Sequence, residues 1–210
     1  MARILIADDH LLIREGLKKI LKAERDMDVV GEASNAQAVL DFVRGHELDI
    51  VLLDISMPDR SGLEVLKELR QHHPKLSVLM LSMHPEDRFA VRALKAGAAG
   101  YVTKESAGDE LVNAIRKIIR WGKYISLALA EKLAFGLDVD SSKLPHEALS
   151  DREFQVMTMI SSGKKMTEIA AELSLSVRTV NTYRARVLEK MRMKTNAEMI
   201  HYVIQHGLID

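Results

Sequence analysis

The chain has 210 residues, 30 Lys+Arg against 30 Asp+Glu, and a formal net charge of zero at pH 7. Hydrophobic residues make up 47% and charged residues 29%, a balance that can bury a core in one large or two modest domains. The absence of cysteine excludes disulfides, thiolate metal sites and thiol catalysis. The start, MARILIADDH, is too short an apolar run and too acidic for a signal peptide, and no apolar stretch reaches the length of a membrane span. A cytoplasmic protein without a membrane partner is expected.

RILIA, residues 3 to 7, is a short apolar run that ends on Asp8 and Asp9. HLLIREGLKKILK then sets Leu12, Ile13, Leu17, Ile20 and Leu21 at helical spacing. Residues 28 to 33 read as a second strand, and Ser34 or Asn35 can cap a helix running to about His46. Ile50 to Leu53 is a third apolar run, and it stops abruptly on Asp54. After Met57-Pro58 and Ser61-Gly62, a helix is expected from about Ser61 to His73, halted by Pro74. Residues 76 to 82, LSVLMLS, form a fourth strand, followed by a helix from about Glu86 to Lys95 closed by Gly97. Gly100 to Thr103 is a fifth strand ending on Lys104, and a helix follows from about Gly108 to Arg120.

Five strands alternating with helices imply a doubly wound parallel sheet, for which the common strand order is 2-1-3-4-5. The carboxyl ends of strands 1, 3, 4 and 5 then share one edge, which gathers Asp8, Asp9, Asp54, Ser82 and Lys104. Crowded carboxylates repel and raise one another's pKa; a hard divalent cation removes the conflict. Mg²⁺ suits such a site, because it takes carboxylate and water oxygens shared with a phosphate. A carboxylate, a metal, a hydroxyl and an ammonium make a phosphoryl-transfer site with Asp54 as nucleophile. Singly, Asp54 suits a turn, Asp8 or Asp9 a helix cap, Ser82 a strand-end hydroxyl, Lys104 a solvated surface and Tyr101 a core; the set carries the chemistry. His10, His72, His73 and His84 show no ligand spacing and read as surface or capping residues.

The pattern ADD after strand 1, LLDISMPDRSG around Asp54, LS at strand 4 and KAGAAGYVTK at strand 5 resembles a response-regulator receiver domain. The resemblance covers roughly residues 1 to 121. It implies that Asp54 accepts a phosphoryl group from a sensor histidine kinase or a small acyl-phosphate donor. It implies too that Asp8, Asp9, Asp54 and the backbone carbonyl of Ser56 hold Mg²⁺. Ser82 and Lys104 would bond the phosphoryl oxygens, and Tyr101 would be the aromatic that repositions with Ser82. Glu105 stands where many receivers carry proline.

Beyond Trp121-Gly122 the pattern loosens. LALAEKLAF suits a short amphipathic helix, and residues 136 to 148 mix Gly, Asp, Ser and Pro as linkers do, so residues 122 to 147 are expected to join two domains. From residue 148 onward four helices are expected. The first opens on Ser150 with Glu153 three residues later, a capping box, and buries Phe154, Val156, Met157 and Ile160. The second, residues 167 to 173, turns Ile169, Ala170 and Leu173 inward; after the turn SLS, VRTVNTYRARVLEKM is a longer helix. A fourth, with Asn196 as a cap, turns Met199, Ile200 and Val203 to one face. A short helix, a tight turn and a longer basic helix describe a helix-turn-helix.

On the long helix Val180, Val187, Leu188 and Met191 share one face and Arg178, Asn181, Thr182, Ala185 and Glu189 the other. Residues 178 to 194 hold six basic side chains against Glu189 alone, a stretch that can neutralise phosphates of double-stranded DNA. Asn181 and Thr182 suit base edges; Arg184, Arg186, Lys190 and Lys194 suit phosphates. Leu149 to Ile209 resembles the LuxR-type helix-turn-helix domain, matching at Leu149, Ser150, Arg152, Glu153, Gly163, Ile169, Ala170, Leu173, Ser176, Thr179 and Val180. That resemblance maps base reading to Asn181, Thr182 and Ala185, and backbone contacts to Arg178 and Thr179.

With the receiver in front, the whole chain resembles a NarL/FixJ-type response regulator, a transcription factor controlled by phosphorylation. The resemblance implies that the unmodified receiver covers the recognition helix and that phosphorylation releases it and promotes homodimers on paired half-sites. Two rivals remain. One is a phosphorylation-independent DNA-binding regulator whose receiver is a dimerisation module. The other is a phosphatase with an aspartyl-phosphate intermediate, but such enzymes commonly place a second acid two residues after the nucleophile, where this chain has Ser56. A regulator that is not an enzyme is the reading retained.

Overall fold

The computed structural model describes residues 1 to 209 except 59, 84, 85, 128 and 132 to 143, with the backbone alone at 86 to 88. The chain divides into two units, Met1–Asp138 and Val139–Asp210.

The first unit is a five-stranded parallel sheet in the order β2-β1-β3-β4-β5, as the alternation of elements leads one to expect. The strands are β1 (Ala2–Ala7), β2 (Met27–Ala33), β3 (Ile50–Asp54), β4 (Ser77–Ser82) and β5 (Gly100–Thr103). The crossover helices are α1 (Leu11–Lys22), α2 (Ala36–Gly45), α3 (Gly62–His72), α4 (Glu86–Lys95) and α5 (Ala107–Trp121). Every residue of β3 is buried, as a central strand covered on both faces requires. Side-chain alternation sends Ile4, Ile6, Ile50, Leu52, Leu79 and Leu81 to one face, where they pack with Leu17 and Leu21 of α1 and Leu111, Ile115 and Ile118 of α5. Leu5, Val51, Leu53 and Met80 are buried on the other face, beneath α2, α3 and α4.

Helix boundaries follow local chemistry. Of the two possible caps of α2, Asn35 is the one used: its side chain accepts from the Ala38 amide at 2.8 Å. Ser61 caps α3 through the Leu63 amide, and Gly122 ends α5 at φ 78° with its amide on the Ile118 carbonyl. Of the helix expected at 127 to 135, residues 127 and 129 to 131 are helical; the remainder lies outside the described residues, as do half of the expected linker and His84.

The second unit contains α6 (Asp151–Ser161), α7 (Met166–Glu172), α8 (Val177–Lys190) and α9 (Asn196–Gln205), preceded by a short 3₁₀ turn, Pro145–Ala148. The capping box is complete: Ser150 Oγ accepts from the Glu153 amide at 3.3 Å, and Glu153 Oε2 accepts from the Ser150 amide at 2.7 Å. Phe154, Val156, Met157, Ile160, Ile169, Ala170, Leu173, Val180, Val187, Met191, Met199 and Val203 are buried. The last helix is capped one residue earlier than the expected Asn196. Thr195 caps α9 by accepting from the Glu198 amide, while Asn196 Oδ1 accepts from Arg184 Nε of α8 at 2.6 Å. A threonine one residue earlier has the extended backbone that a cap needs.

Candidate functional site

The sheet order delivers the acidic residues to one edge. In register Ala7 lies beside Leu53, Asp54 beside Leu81, and Ser82 beside Thr103. The Lys104 amide donates to the Ser82 carbonyl at 2.7 Å, which locks the ends of β4 and β5 together. The loop after β3 is folded tightly back, with the Gly62 amide donating to the Ile55 carbonyl at 2.9 Å. A Cβ on Gly62 would lie 1.9 Å from the carbonyl oxygen of Asp54 itself, so only glycine lets α3 begin there.

Asp8, Asp54 and Ser82 are almost wholly buried. Lys104 Nζ lies 2.7 Å from Asp8 Oδ2 and 2.9 Å from Asp54 Oδ2, with 5% of its side chain exposed. It acts on them as a shared charge, for it lies at ion-pair distance from both carboxylates. Burial raises the pKa of Asp54 above the ordinary carboxylate value; the Asp8 charge adds to this, and Lys104 and the Ser56 amide oppose it. At Lys104 burial acts to lower the pKa, but Asp54 and Asp8 together hold the ammonium above its usual value. Tyr101 is fully buried in β5, and Ser56 is half-buried after β3.

One ligating atom from each of Asp8, Asp9, His10 and Asp54 lies within 4.8 Å of the others. Buried carboxylate oxygens without aligned donors, in a mainly oxygen set, fit a hard divalent cation. His10, read from sequence as a surface or capping residue, joins this group. Its Nδ1 is 2.8 Å from Asp9 Oδ1 and 3.2 Å from Asp8 Oδ1. It occupies the N-cap position of α1 without a side-chain cap bond, and Asp8 Oδ1 accepts from its amide at 2.8 Å. Its place directly after two aspartates was the only signal in the sequence.

In the second unit, the Ser176 hydroxyl accepts from the Thr179 amide at 3.0 Å and so starts α8. Arg178, Asn181, Thr182, Ala185, Arg186 and Lys194 are exposed, and Thr179 is half-buried. Asn181 donates to the Val177 carbonyl and Thr182 to the Arg178 carbonyl, both at 3.0 Å. Lys190 is tethered inside the unit: its Nζ donates to Glu153 Oε2 at 2.6 Å. Burial pushes against ionisation of Glu153, but Lys190 and the Ser150 amide and hydroxyl keep its pKa below the usual value.

A parallel sheet with an acid–lysine set at its carboxyl edge, followed by a helix-turn-helix, is the architecture of a receiver joined to a DNA-binding domain. The receiver-domain model of response regulators matches residues 4–116, and that of the bacterial regulatory proteins of the luxR family matches residues 147–203. The chain belongs to the response regulators of the NarL/FixJ type. It is 37% identical over 209 residues to the response regulator UvrY of Escherichia coli, covering 99% of this chain and 96% of that one. It is 39% identical over 210 residues to the response regulator GacA of Pseudomonas protegens, covering 100% and 99%. Among solved structures, RcsB of Salmonella enterica serovar Typhimurium, bound to promoter rprA in the presence of phosphomimetic BeF₃⁻, shares the fold. The TM-score is 0.65 at 24% identity, over 96% of this chain and 97% of that one. A LuxR-family response regulator from an Aurantimonas species is 35% identical with a TM-score of 0.61, over 65% of this chain and 98% of that one.

Proposed function

We propose that Asp54 is the phosphoacceptor of this response regulator and that its phosphorylation controls DNA binding by the second unit. The observation that carries the reading is the Lys104 ammonium set between the buried carboxylates of Asp8 and Asp54. An Asp54 oxygen attacks the phosphorus of a phosphohistidine on a sensor kinase, or of a small acyl phosphate; the donor's P–N or P–O bond breaks and an aspartyl phosphate forms. Lys104 then exchanges a carboxylate for a phosphoryl oxygen, and the Ser82 hydroxyl donates to another. Tyr101, packed behind this edge, follows Ser82. Asp8, Asp9, Asp54 and the Ser56 carbonyl would hold Mg²⁺, which when bound neutralises the crowded negative charge. The protein is a stoichiometric acceptor and not an enzyme with an outside substrate.

The added charge biases the receiver between two states and thereby frees or dimerises the helix-turn-helix for paired half-sites on double-stranded DNA. Asn181, Thr182 and Ala185 face the bases, while Arg178, Thr179, Arg186 and Lys194 serve the phosphates. Lys190 would reach a phosphate only by leaving Glu153 or by sharing its charge. This supports a phosphorylation-controlled regulator over one in which the receiver is merely a dimerisation module, because such a module needs no buried acid–lysine set.

Intact-mass measurement after incubation with Mg²⁺ and a small acyl phosphate tests the chemistry. The wild type gains one phosphoryl group and Asp54→Asn gains none; an equal gain in both would move the acceptor elsewhere.

A further inference from the structure

The acidic centre contains one donor that magnesium chemistry does not call for. His10 Nδ1 is hydrogen-bonded to Asp8 Oδ1 at 3.2 Å and lies 2.8 Å from Asp9 Oδ1 without hydrogen-bond alignment, while its side chain remains 62% exposed. Two carboxylate oxygens close to one nitrogen mark a place for a positive charge, which either a proton on Nδ1 or a metal ion can fill. The same nitrogen in the other tautomer is a lone-pair donor. Independently, one ligating atom from each of Asp8, Asp9, His10 and Asp54 lies within 4.8 Å of the others, and Asp54, 1% exposed, has an oxygen, Oδ1, with neither an aligned hydrogen-bond donor nor the Lys104 ion pair.

We propose that His10 is a fourth side-chain ligand of the acidic centre, and that it biases the site towards first-row transition-metal dications over Mg²⁺. Imidazole nitrogen is a good ligand for borderline ions and a poor one for Mg²⁺, which is served by the carboxylates and water. The centre would then accept both kinds of ion, with His10 setting their relative affinity. The inference rests on the acidic centre being a cation site, as the proposed function requires.

The test uses the full chain, Mg²⁺ and Co²⁺ as probes, titration calorimetry for both ions and the visible absorption of bound Co²⁺. His10→Ala weakens Co²⁺ binding by about tenfold and alters its spectrum, with Mg²⁺ affinity changed by less than about twofold. His10→Asn, which retains a helix-capping residue type, gives the same result without disturbing α1. Asp9→Asn weakens both ions. An unchanged Co²⁺-to-Mg²⁺ affinity ratio in both His10 variants would overturn the proposal, and so would Co²⁺ binding that survives in Asp9→Asn while Mg²⁺ binding falls. Failure of the wild type to bind Mg²⁺ would instead overturn the cation-site reading, and this inference with it.

Discussion

Asp54 occupies a position that costs the metal-free fold stability. Its carboxylate is buried beside Asp8, and its pKa is raised chiefly by that burial, so the ionised form is costly in the metal-free protein. An acid whose pKa is higher folded than unfolded stabilises the fold below the ordinary carboxylate pKa, and the contribution is lost as pH rises through the raised value. Asp54→Asn, which removes one of the two carboxylates crowded on Lys104, should therefore raise metal-free stability at neutral pH. The gap to wild type should narrow as pH falls towards the raised pKa, and also when Mg²⁺ is added. Urea unfolding of both proteins across pH tests this, and a gap that widens on acidification would contradict it. Gly62 is the second critical residue. Its missing Cβ makes room for the Asp54 carbonyl, so Gly62→Ala should cost about 1–3 kcal/mol and also displace the end of β3. Unfolding midpoints together with phosphoryl uptake would register both effects; full stability and full uptake would show that the loop yields.

At the level of elements, short-range signals were the legible ones. The apolar runs ending on Asp8, Asp54 and Lys104, the Ser150–Glu153 capping box and the helical spacing of Val180 and Val187 are local patterns, and the elements form where those patterns lie. Long-range pairings were not legible. Lys190 meets Glu153 across 37 residues, and Arg184 meets Asn196 only once α8 and α9 are packed. His10 could not be linked to the metal-ligand candidates because its orientation depends on how the chain turns into α1 after Asp9. Arg116 of α5 is another such pairing: its guanidinium reaches Asp26 at 2.8 Å and Glu24 at 2.6 Å in the turn between α1 and β2. The Arg116 hydrogen bond holds the Asp26 carboxyl down at about 2. A lowered carboxylate pKa stabilises above the ordinary value, and the contribution is lost as pH falls towards the lowered one. Arg116→Met should return the Asp26 titration, followed by carboxyl NMR, to the ordinary carboxylate range. A titration that stays near its wild-type position would assign the shift to something else.

For the whole molecule, two units of different architecture divide the work between chemistry and recognition. Net charge concealed this division, since a neutral total contains a basic helix α8 offset by acids elsewhere. The sheet order and the HTH pattern follow from element alternation and helix spacing, so the fold was largely readable. The roles of individual surface residues were less so, because an exposed Asn181 or Thr182 bonded to its own helix carries no mark of the base it would read. On the proposed function, a phosphoryl group on Asp54 raises the affinity of the second unit for DNA. The direct measurement is the affinity of the full-length protein for a duplex selected from a random-sequence pool, with and without acyl phosphate and Mg²⁺, beside Asp54→Asn. Binding about tenfold or more tighter is expected for the phosphorylated wild type, with no change for the variant. Equal affinity of the modified and unmodified wild type, with phosphorylation verified by mass, would contradict it.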